Sequence, residues 1–167
     1  RARLVGSEMC IRDRSNWKFQ ARKNISYHYD LGNQFYREWL DKTMTYSSAL
    51  FKNKKEVLST AQTNKYESIC KNLNLKEGDS VLEIGCGWGG FAEHAIKTRG
   101  VKLTGLTLSK EQLDYSKKRM FELGMADKSS FLLQDYRDEK GVYDGVVSIE
   151  MFEACLLYTS DAADEGV

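Results

Sequence analysis

The spacing of hydrophobic residues changes from helical to strand-like near the middle of the chain. A long helix is predicted over about residues 54–73, with one apolar face that Lys65 interrupts. That face consists of Val57, Leu58, Ala61, Ile69, Cys70 and Leu73. A shorter helix is predicted over about residues 34–40, after a turn at 31–33. Between them, residues 43–51 follow neither period and are predicted to form a loop, which we call the hydroxyl loop.

From residue 81 onward, short apolar runs alternate with helical patterns. Strands are predicted over residues 81–84, 101–106, 131–134 and 143–149. The first intervening helix ends at Gly100, and the second begins at Ser109, whose spacing to Gln112 matches a capping box. Their predicted core residues are Phe91, Ala92, Ala95 and Ile96 in the first helix and Leu113, Met120 and Leu123 in the second. This order predicts an α/β fold with a partial, doubly wound parallel sheet.

The ends of the chain and of the predicted sheet are both expected to be atypical of a whole domain. A sheet of four parallel strands leaves strand four with an unpaired edge, so we expect further chain to complete the core. Residues 1–14 and 155–167 resemble translated sequencing-adapter sequence and are expected to be non-native tails. The expected organisation is an N-terminal helical segment over 15–76 and a partial α/β domain over 77–154.

Composition and charge describe an ordinary soluble domain. The 167 residues are 41% hydrophobic with a net charge of +1, which argues against a nucleic-acid partner. No apolar run reaches the roughly 18 residues of a transmembrane helix, and no signal peptide is recognisable, so we expect a cytoplasmic location. The cysteines lack metal-site spacing and disulfide density, and we expect reduced thiols and no metal site. They are Cys10, Cys70, Cys86 and Cys155.

Aromatic and basic side chains are mixed over residues 15–40. Such a mixture is typical of a segment on a lipid headgroup surface, and also of a helical arm that packs its aromatic residues on the domain. Both interpretations stay open on the sequence. His28, in the same stretch, is expected to be a hydrogen-bonded structural residue.

A glycine-rich turn, the glycine loop, follows the first predicted strand. Gly85, Gly87 and Gly90 have the G-x-G-x-x-G spacing with which nucleotide folds bring backbone N–H groups close to a ligand. Glu83 lies two residues before the first glycine. The second predicted strand carries no acid where a dinucleotide fold places its ribose carboxylate. The pattern therefore favours S-adenosylmethionine over NAD as the ligand.

Five motifs together point to one family. They occupy residues 28–33, 44–51, 83–91, 107–112 and 151–153. Through them, the stretch 25–154 resembles the cyclopropane-fatty-acyl-phospholipid synthases and the mycolic acid cyclopropane synthases, which implies a Rossmann-like class I methyltransferase fold. Including Glu83, the implied S-adenosylmethionine site consists of Tyr46, Ser47, Glu83, Gly85, Cys86, Gly87, Thr107, Leu108, Ser109, Lys110, Glu111, Gln112, Asp135 and Tyr136.

Elementary chemistry agrees with several of these positions. Ser109 and Gln112 lie at the carboxyl end of strand two, where an open parallel sheet binds ligands, so they are candidates for both the helix cap and the ligand site. Asp135 ends strand three and can accept a hydrogen bond from the exocyclic amine of adenine, while Tyr136 offers a stacking face.

The resemblance implies methylene addition across a cis double bond of an unsaturated phospholipid acyl chain, at the inner face of the membrane. It also implies bicarbonate as the base, held by groups that include Glu153 and Ser48. Many members of the family have cysteine where this chain has Ser48, so cyclopropanation and simple methyl transfer stay open. An exposed structural acid is the alternative role for Glu153. A homodimer is compatible with the resemblance, and residues 1–167 alone are expected to be inactive.

Three interpretations of function follow from the sequence. The first is a cyclopropane synthase, and the second is another small-molecule or lipid methyltransferase with the same sheet and glycine loop. The third is an NAD-dependent oxidoreductase, which the missing acid on strand two disfavours.

Overall fold

The computed structural model describes residues 32–151. Its helices are α1 (Gly32–Arg37), α2 (Leu58–Asn72), α3 (Gly90–Arg99) and α4 (Lys110–Glu122). Its strands are β1 (Ser80–Ile84), β2 (Lys102–Thr107), β3 (Ser129–Leu133) and β4 (Gly145–Ser148). Short 3₁₀ turns cover Ala126–Lys128 and Tyr136–Asp138. None of the helices within these residues is long and apolar enough to cross a bilayer.

The four strands form one parallel sheet in the order β3-β2-β1-β4. Ile84 of β1 pairs with Leu106 on one side and Ser148 on the other, so the carboxyl ends of three strands meet at one edge. The predicted α/β fold with a four-stranded parallel sheet is therefore confirmed. The strand order reverses between β1 and β4, and such a reversal creates the crevice in which open sheets bind ligands.

The three long helices pack together on one face of the sheet. Their shared core with the strands includes Cys70 of α2, Phe91 of α3, Met120 of α4 and Leu103 of β2. On the opposite face, Leu82, Ile84 and Leu106 are covered by the loop side chains Tyr136, Tyr143 and Met151. Within residues 32–151, helical cover is thus limited to one face, and Val146 on the other is 53% exposed.

Helix α2 begins four residues later than predicted, and its buried face is rotated. Asn53 and Glu56 accept hydrogen bonds from nearby backbone N–H groups, and such local bonds compete with helix formation. The residues that it buries are Ala61, Gln62, Tyr66 and Cys70. Of the apolar face predicted for this helix, Val57, Leu58 and Leu73 are exposed near the helix ends.

Two further helix predictions need adjustment. Helix α1 already begins at Gly32 and ends at Arg37, where a helix was predicted over 34–40. In α4, Met120 is buried as predicted and Leu113 is partly buried, but Leu123 is 43% exposed at the helix end. The core residues predicted for α3 are all buried, and Gly100 ends that helix with a φ of 69°.

Candidate active site

A cavity opens at the edge where the strands end, and most of the predicted cofactor residues line it. The residues that it brings together are Tyr46, Ser47, Glu83, Gly85, Cys86, Gly87, Thr107, Leu108, Gln112, Asp135 and Tyr136. Three predicted residues do not line it, because Ser109 is buried as the cap of α4 and Lys110 and Glu111 are exposed on its first turn. Glu153, His28 and both predicted tails lie outside the described residues.

Backbone geometry explains the three glycines of the motif. Gly85 and Gly87 have φ angles of 78° and 53°, which residues other than glycine rarely adopt. The N–H groups of Gly85 and Cys86 both donate to the carbonyl oxygen of Leu106, at 2.9 Å each. A Cβ on Gly87 would meet open space, whereas one on Gly90 would lie 2.7 Å from the Tyr66 hydroxyl. The second glycine therefore keeps the cavity open, and the third allows α2 to pack closely.

Helix α4 holds the glycine loop to the hydroxyl loop through Arg119. One guanidinium nitrogen donates to the carbonyl oxygens of Thr43 at 2.9 Å and Trp88 at 3.2 Å. Nε of Arg119 donates to the carboxylate of Glu93 at 2.7 Å. In addition, the hydroxyl of Ser116 donates to the carbonyl oxygen of Gly87. The walls of the cavity are therefore fixed by two side chains of α4, Arg119 and Ser116, that do not line it themselves.

Helix α1 packs against the same loop. Trp88 is 2% exposed and donates from its indole nitrogen to the side-chain oxygen of Asn33 at 2.5 Å. The Tyr36 ring lies 4.8 Å from the Trp88 ring, while Phe35 and Trp39 are each about half exposed. Tyr36 therefore packs on the domain, as one of the two interpretations of the aromatic segment predicts. Phe35 and Trp39 lie at the surface, where the other interpretation places them.

Glu83 is the most unusual group in the cavity. Its side chain is 3% exposed, and Oε2 has no hydrogen-bond partner among the described residues. Burial raises the pKa of this carboxyl well above its ordinary value, and the nearby Arg119 guanidinium only partly opposes that rise. A buried polar atom without a partner costs stability unless a ligand satisfies it. Glu83 therefore indicates a binding site for a ligand that donates hydrogen bonds or carries positive charge.

A chain of hydrogen bonds connects the start of α4 to the end of β2, and it differs from the predicted capping box. Ser109 Oγ accepts from the Gln112 N–H at 3.3 Å, as expected for a cap. However, the Ser109 N–H donates to Thr107 Oγ1, which in turn donates to Gln112 Oε1 at 2.9 Å. Because its amide oxygen is used in this way, Gln112 offers its amide N–H groups to the cavity.

Asp135 is placed at the cavity but already has a strong partner. Its carboxylate accepts from the Arg137 N–H and from Nε and Nη2 of the same guanidinium, at 2.5 to 3.0 Å. A carboxylate offers about four acceptor positions, and a ligand amine would have to share them with the Arg137 guanidinium. Asp135 can thus contact an adenine amine only while it shares its charge with Arg137.

Ser48 and Glu150 form a contact that the sequence did not suggest. The N–H of Ser48 donates to the Glu150 carboxylate at 2.9 Å, and the Ser48 hydroxyl bonds the same oxygen. Both side chains line a second cavity beside the first. Glu150 also has a φ of 49°, a conformation that is uncommon outside glycine and often found at functional sites. Its position just after β4, at the ligand-binding edge, was the available signal.

Cys86 lines the cavity as a buried thiol. Burial raises its pKa well above the ordinary value, with the Glu83 carboxyl adding to the rise. The described part of the chain also contains no cluster of histidine, cysteine and acidic side chains that could hold a metal ion.

Comparison with known proteins agrees with this geometry. The family model for mycolic acid cyclopropane synthetase matches residues 17–160. The chain belongs to this family. It is 44% identical over 142 residues to the "Probable fatty acid methyltransferase" of Pseudomonas putida, a match that covers 84% of this chain and 36% of that protein.

Two further proteins of this family are similar to the chain. The chain is 43% identical over 126 residues to the cyclopropane-fatty-acyl-phospholipid synthase of Escherichia coli K12, covering 75% of this chain and 32% of that one. The crystal structure of mycolic acid cyclopropane synthase CmaA1, complexed with SAH and CTAB, superposes with a TM-score of 0.79 at 33% identity. That match covers 85% of this chain and 50% of the other. The chain spans about a third of the length of the curated relatives named here.

Proposed function

We propose that the complete gene product uses S-adenosylmethionine to add a methylene group across the cis double bond of an unsaturated phospholipid acyl chain. Family membership supports the reaction class and disfavours the oxidoreductase interpretation. The observation that carries the proposal is the buried carboxyl of Glu83, unpartnered among the described residues, in a cavity walled by the glycine loop.

The residues of the cavity fit this cofactor. Glu83 offers an acceptor for its ammonium group, and the open space beside Gly87 leaves room for a ligand against the backbone. Tyr46, Ser47, Gln112, Asp135 and Tyr136 would complete the site. When bound, S-adenosylmethionine supplies an electrophilic methyl group on a positively charged sulfur.

Ser48 supports the further proposal that bicarbonate acts as the base. Its N–H and hydroxyl already bond one carboxylate oxygen of Glu150, and bicarbonate presents the same kind of oxygen. Two donors fixed on one loop would orient such an anion for proton removal once the Glu150 carboxylate has moved away from them. We propose Glu153 as a further ligand of this anion, in keeping with the family resemblance.

Exposed aromatic side chains support a substrate at the cytoplasmic membrane surface. Phe35, Trp39, Tyr46 and Phe51 are 44% to 51% exposed, and the last three line the second cavity next to Ser48. Rings at such positions favour the boundary between headgroups and acyl chains. We propose that they help an acyl chain to reach the cavity from the bilayer.

Methyl transfer to a fatty acyl chain without ring closure is the second candidate. Ser48 in place of the commoner cysteine favours it, as does the relative named as a fatty acid methyltransferase. The two candidates share the cofactor site. They differ in which proton the carbocation loses after methyl transfer, because ring closure requires a proton of the added methyl group.

Product analysis distinguishes them. The complete gene product is incubated with S-adenosylmethionine and vesicles of unsaturated phospholipid, with bicarbonate removed and then restored, and the lipids are analysed by mass spectrometry. We expect a cyclopropane product whose formation depends on bicarbonate. A methyl-branched or methylene-branched chain would favour the second candidate, and acyl chains that remain unmodified would contradict both.

A further inference from the structure

Helix α2 holds the backbone of the hydroxyl loop with its side chains. Gln62 Nε2 donates to the Ser47 carbonyl oxygen at 2.8 Å, and Asn64 Nδ2 donates to the Leu50 carbonyl oxygen at 3.2 Å. Gln62 is 1% exposed, and its own Oε1 has no partner among the described residues. A buried amide left half satisfied is costly, and the bond that its N–H group makes to Ser47 offsets part of that cost.

Lys65 makes the central contacts of this set. Its ammonium donates to Ser47 Oγ at 2.6 Å and to the Ser48 carbonyl oxygen at 2.7 Å. On its other side, Ser48 donates to Glu150. Ser48 is thus held on both sides, because Lys65 of α2 binds its carbonyl oxygen and Glu150 at the end of β4 binds its N–H and hydroxyl.

We propose that Lys65 is a positioning residue of the reaction, which sets the place of Ser47 and Ser48 at the junction of the two cavities. This inference rests on the proposed function, because Ser47 and Ser48 matter only if they serve the cofactor and the base. Lys65 touches neither ligand site directly and acts through the loop. Small displacements of such groups cost up to about 100-fold in rate.

The charge on Lys65 provides a readout that a purely structural residue would lack. Burial lowers its pKa to about 8, while the carboxylates of Glu150 and Asp41 oppose that shift. The Tyr66 ring lies 5.3 Å from the ammonium and also favours the charged form. Since the pKa lies below that of an ordinary lysine, Lys65 loses its charge within the range in which enzymes are assayed.

The test compares Lys65→Met, Lys65→Arg and Lys71→Met in the complete gene product. Lys71 is the matched control, because it lies on the same helix with its side chain 70% exposed, in a surface pair with Glu67. Hydrogen exchange follows the backbone amides of Ser48 and Leu50, and steady-state kinetics are measured from pH 6 to 10. Binding of S-adenosylhomocysteine and the thermal midpoint are recorded for each variant.

Lys65→Met should speed exchange at both amides and lower kcat by about 10- to 100-fold, with a smaller loss of affinity for S-adenosylhomocysteine. The wild-type enzyme should lose turnover as pH rises through about 8, whereas Lys65→Arg should keep it, because arginine stays charged. Lys71→Met should resemble the wild type.

Unchanged amide exchange in Lys65→Met, or the same alkaline loss of turnover in Lys65→Arg, would overturn the inference. If Lys65→Met does not fold, the pH profile of Lys65→Arg decides. Should the wild type give no lipid product, the proposed function fails, and the exchange measurement still decides whether Lys65 positions the loop.

Discussion

Replacing Arg119 tests how the cavity walls are held together. In Arg119→Met the aliphatic stem is largely kept, while the hydrogen bonds to Glu93, Thr43 and Trp88 are lost. The Arg119 side chain is 15% exposed and that of Glu93 is 26% exposed, so water replaces the lost partners only in part. The variant therefore leaves one carboxylate and two carbonyl oxygens short of a donor.

The expected cost follows from these contacts. Removing one partner of a buried ion pair costs about 3–5 kcal/mol, and a hydrogen bond to a charged group contributes about 1.5–3 kcal/mol. Partial exposure reduces both figures, so we expect the free energy of unfolding to fall by about 2–4 kcal/mol. The pKa of Glu83 should also rise further, because Arg119 is the cation that lowers it.

Urea denaturation of the complete gene product measures this change. Lys118→Met is the matched control on the same helix, because Lys118 pairs with Glu122 where the side chains are 74% and 62% exposed. Such a surface pair contributes at most about 1 kcal/mol. A double variant with Glu93→Gln gives the coupling between the two charges. Equal losses in Arg119→Met and Lys118→Met would refute the role assigned to Arg119.

Two predictions concern the cofactor site. Gly87→Val should abolish binding of S-adenosylhomocysteine in calorimetry, because the new side chain would enter the open cavity at a φ of 53°. The far-ultraviolet circular dichroism should stay the same. Retained affinity for S-adenosylhomocysteine would count against the proposed site. Burial raises the pKa of Glu83 above the ordinary 4.5, so its ionisation costs stability as pH rises above that value. Glu83→Gln should therefore raise the thermal midpoint of the ligand-free protein at pH 7 but not near pH 4, while weakening ligand binding; equal midpoints at pH 7 would contradict this.

The parts of the fold that follow from local rules could be predicted from the sequence. Gly100 ends α3 because only glycine adopts its φ without strain, and Phe91, Ala92, Ala95 and Ile96 share one face at helical spacing. The turn at Gly85 and Gly87 is similarly local, since both residues have a positive φ that favours glycine.

Tertiary contacts account for what was missed. Lys65 interrupts an apolar stripe in the sequence, but in the fold it is the residue that bonds the hydroxyl loop. Leu58 continues the apolar spacing, yet it is 42% exposed at the start of the helix, beside the second cavity. Asp135 was expected to accept a hydrogen bond from adenine. Only the fold of the following turn brings the Arg137 guanidinium within hydrogen-bonding distance of its carboxylate. Ser48 and Glu150 are 102 positions apart, and no short-range pattern links them.

The hydrogen bonds from α2 to the hydroxyl loop have a consequence for substitutions within that loop. Gln62, Lys65 and Asn64 bond carbonyl oxygens, which every amino acid possesses. The loop is therefore held in place largely irrespective of the side chains that it displays. A substitution at residue 48 should therefore leave the loop backbone in place, and the new side chain should occupy the same position beside the second cavity. The chemistry displayed beside the cavity can thus be altered at a single position while the hydrogen bonds from α2 to the loop backbone stay the same.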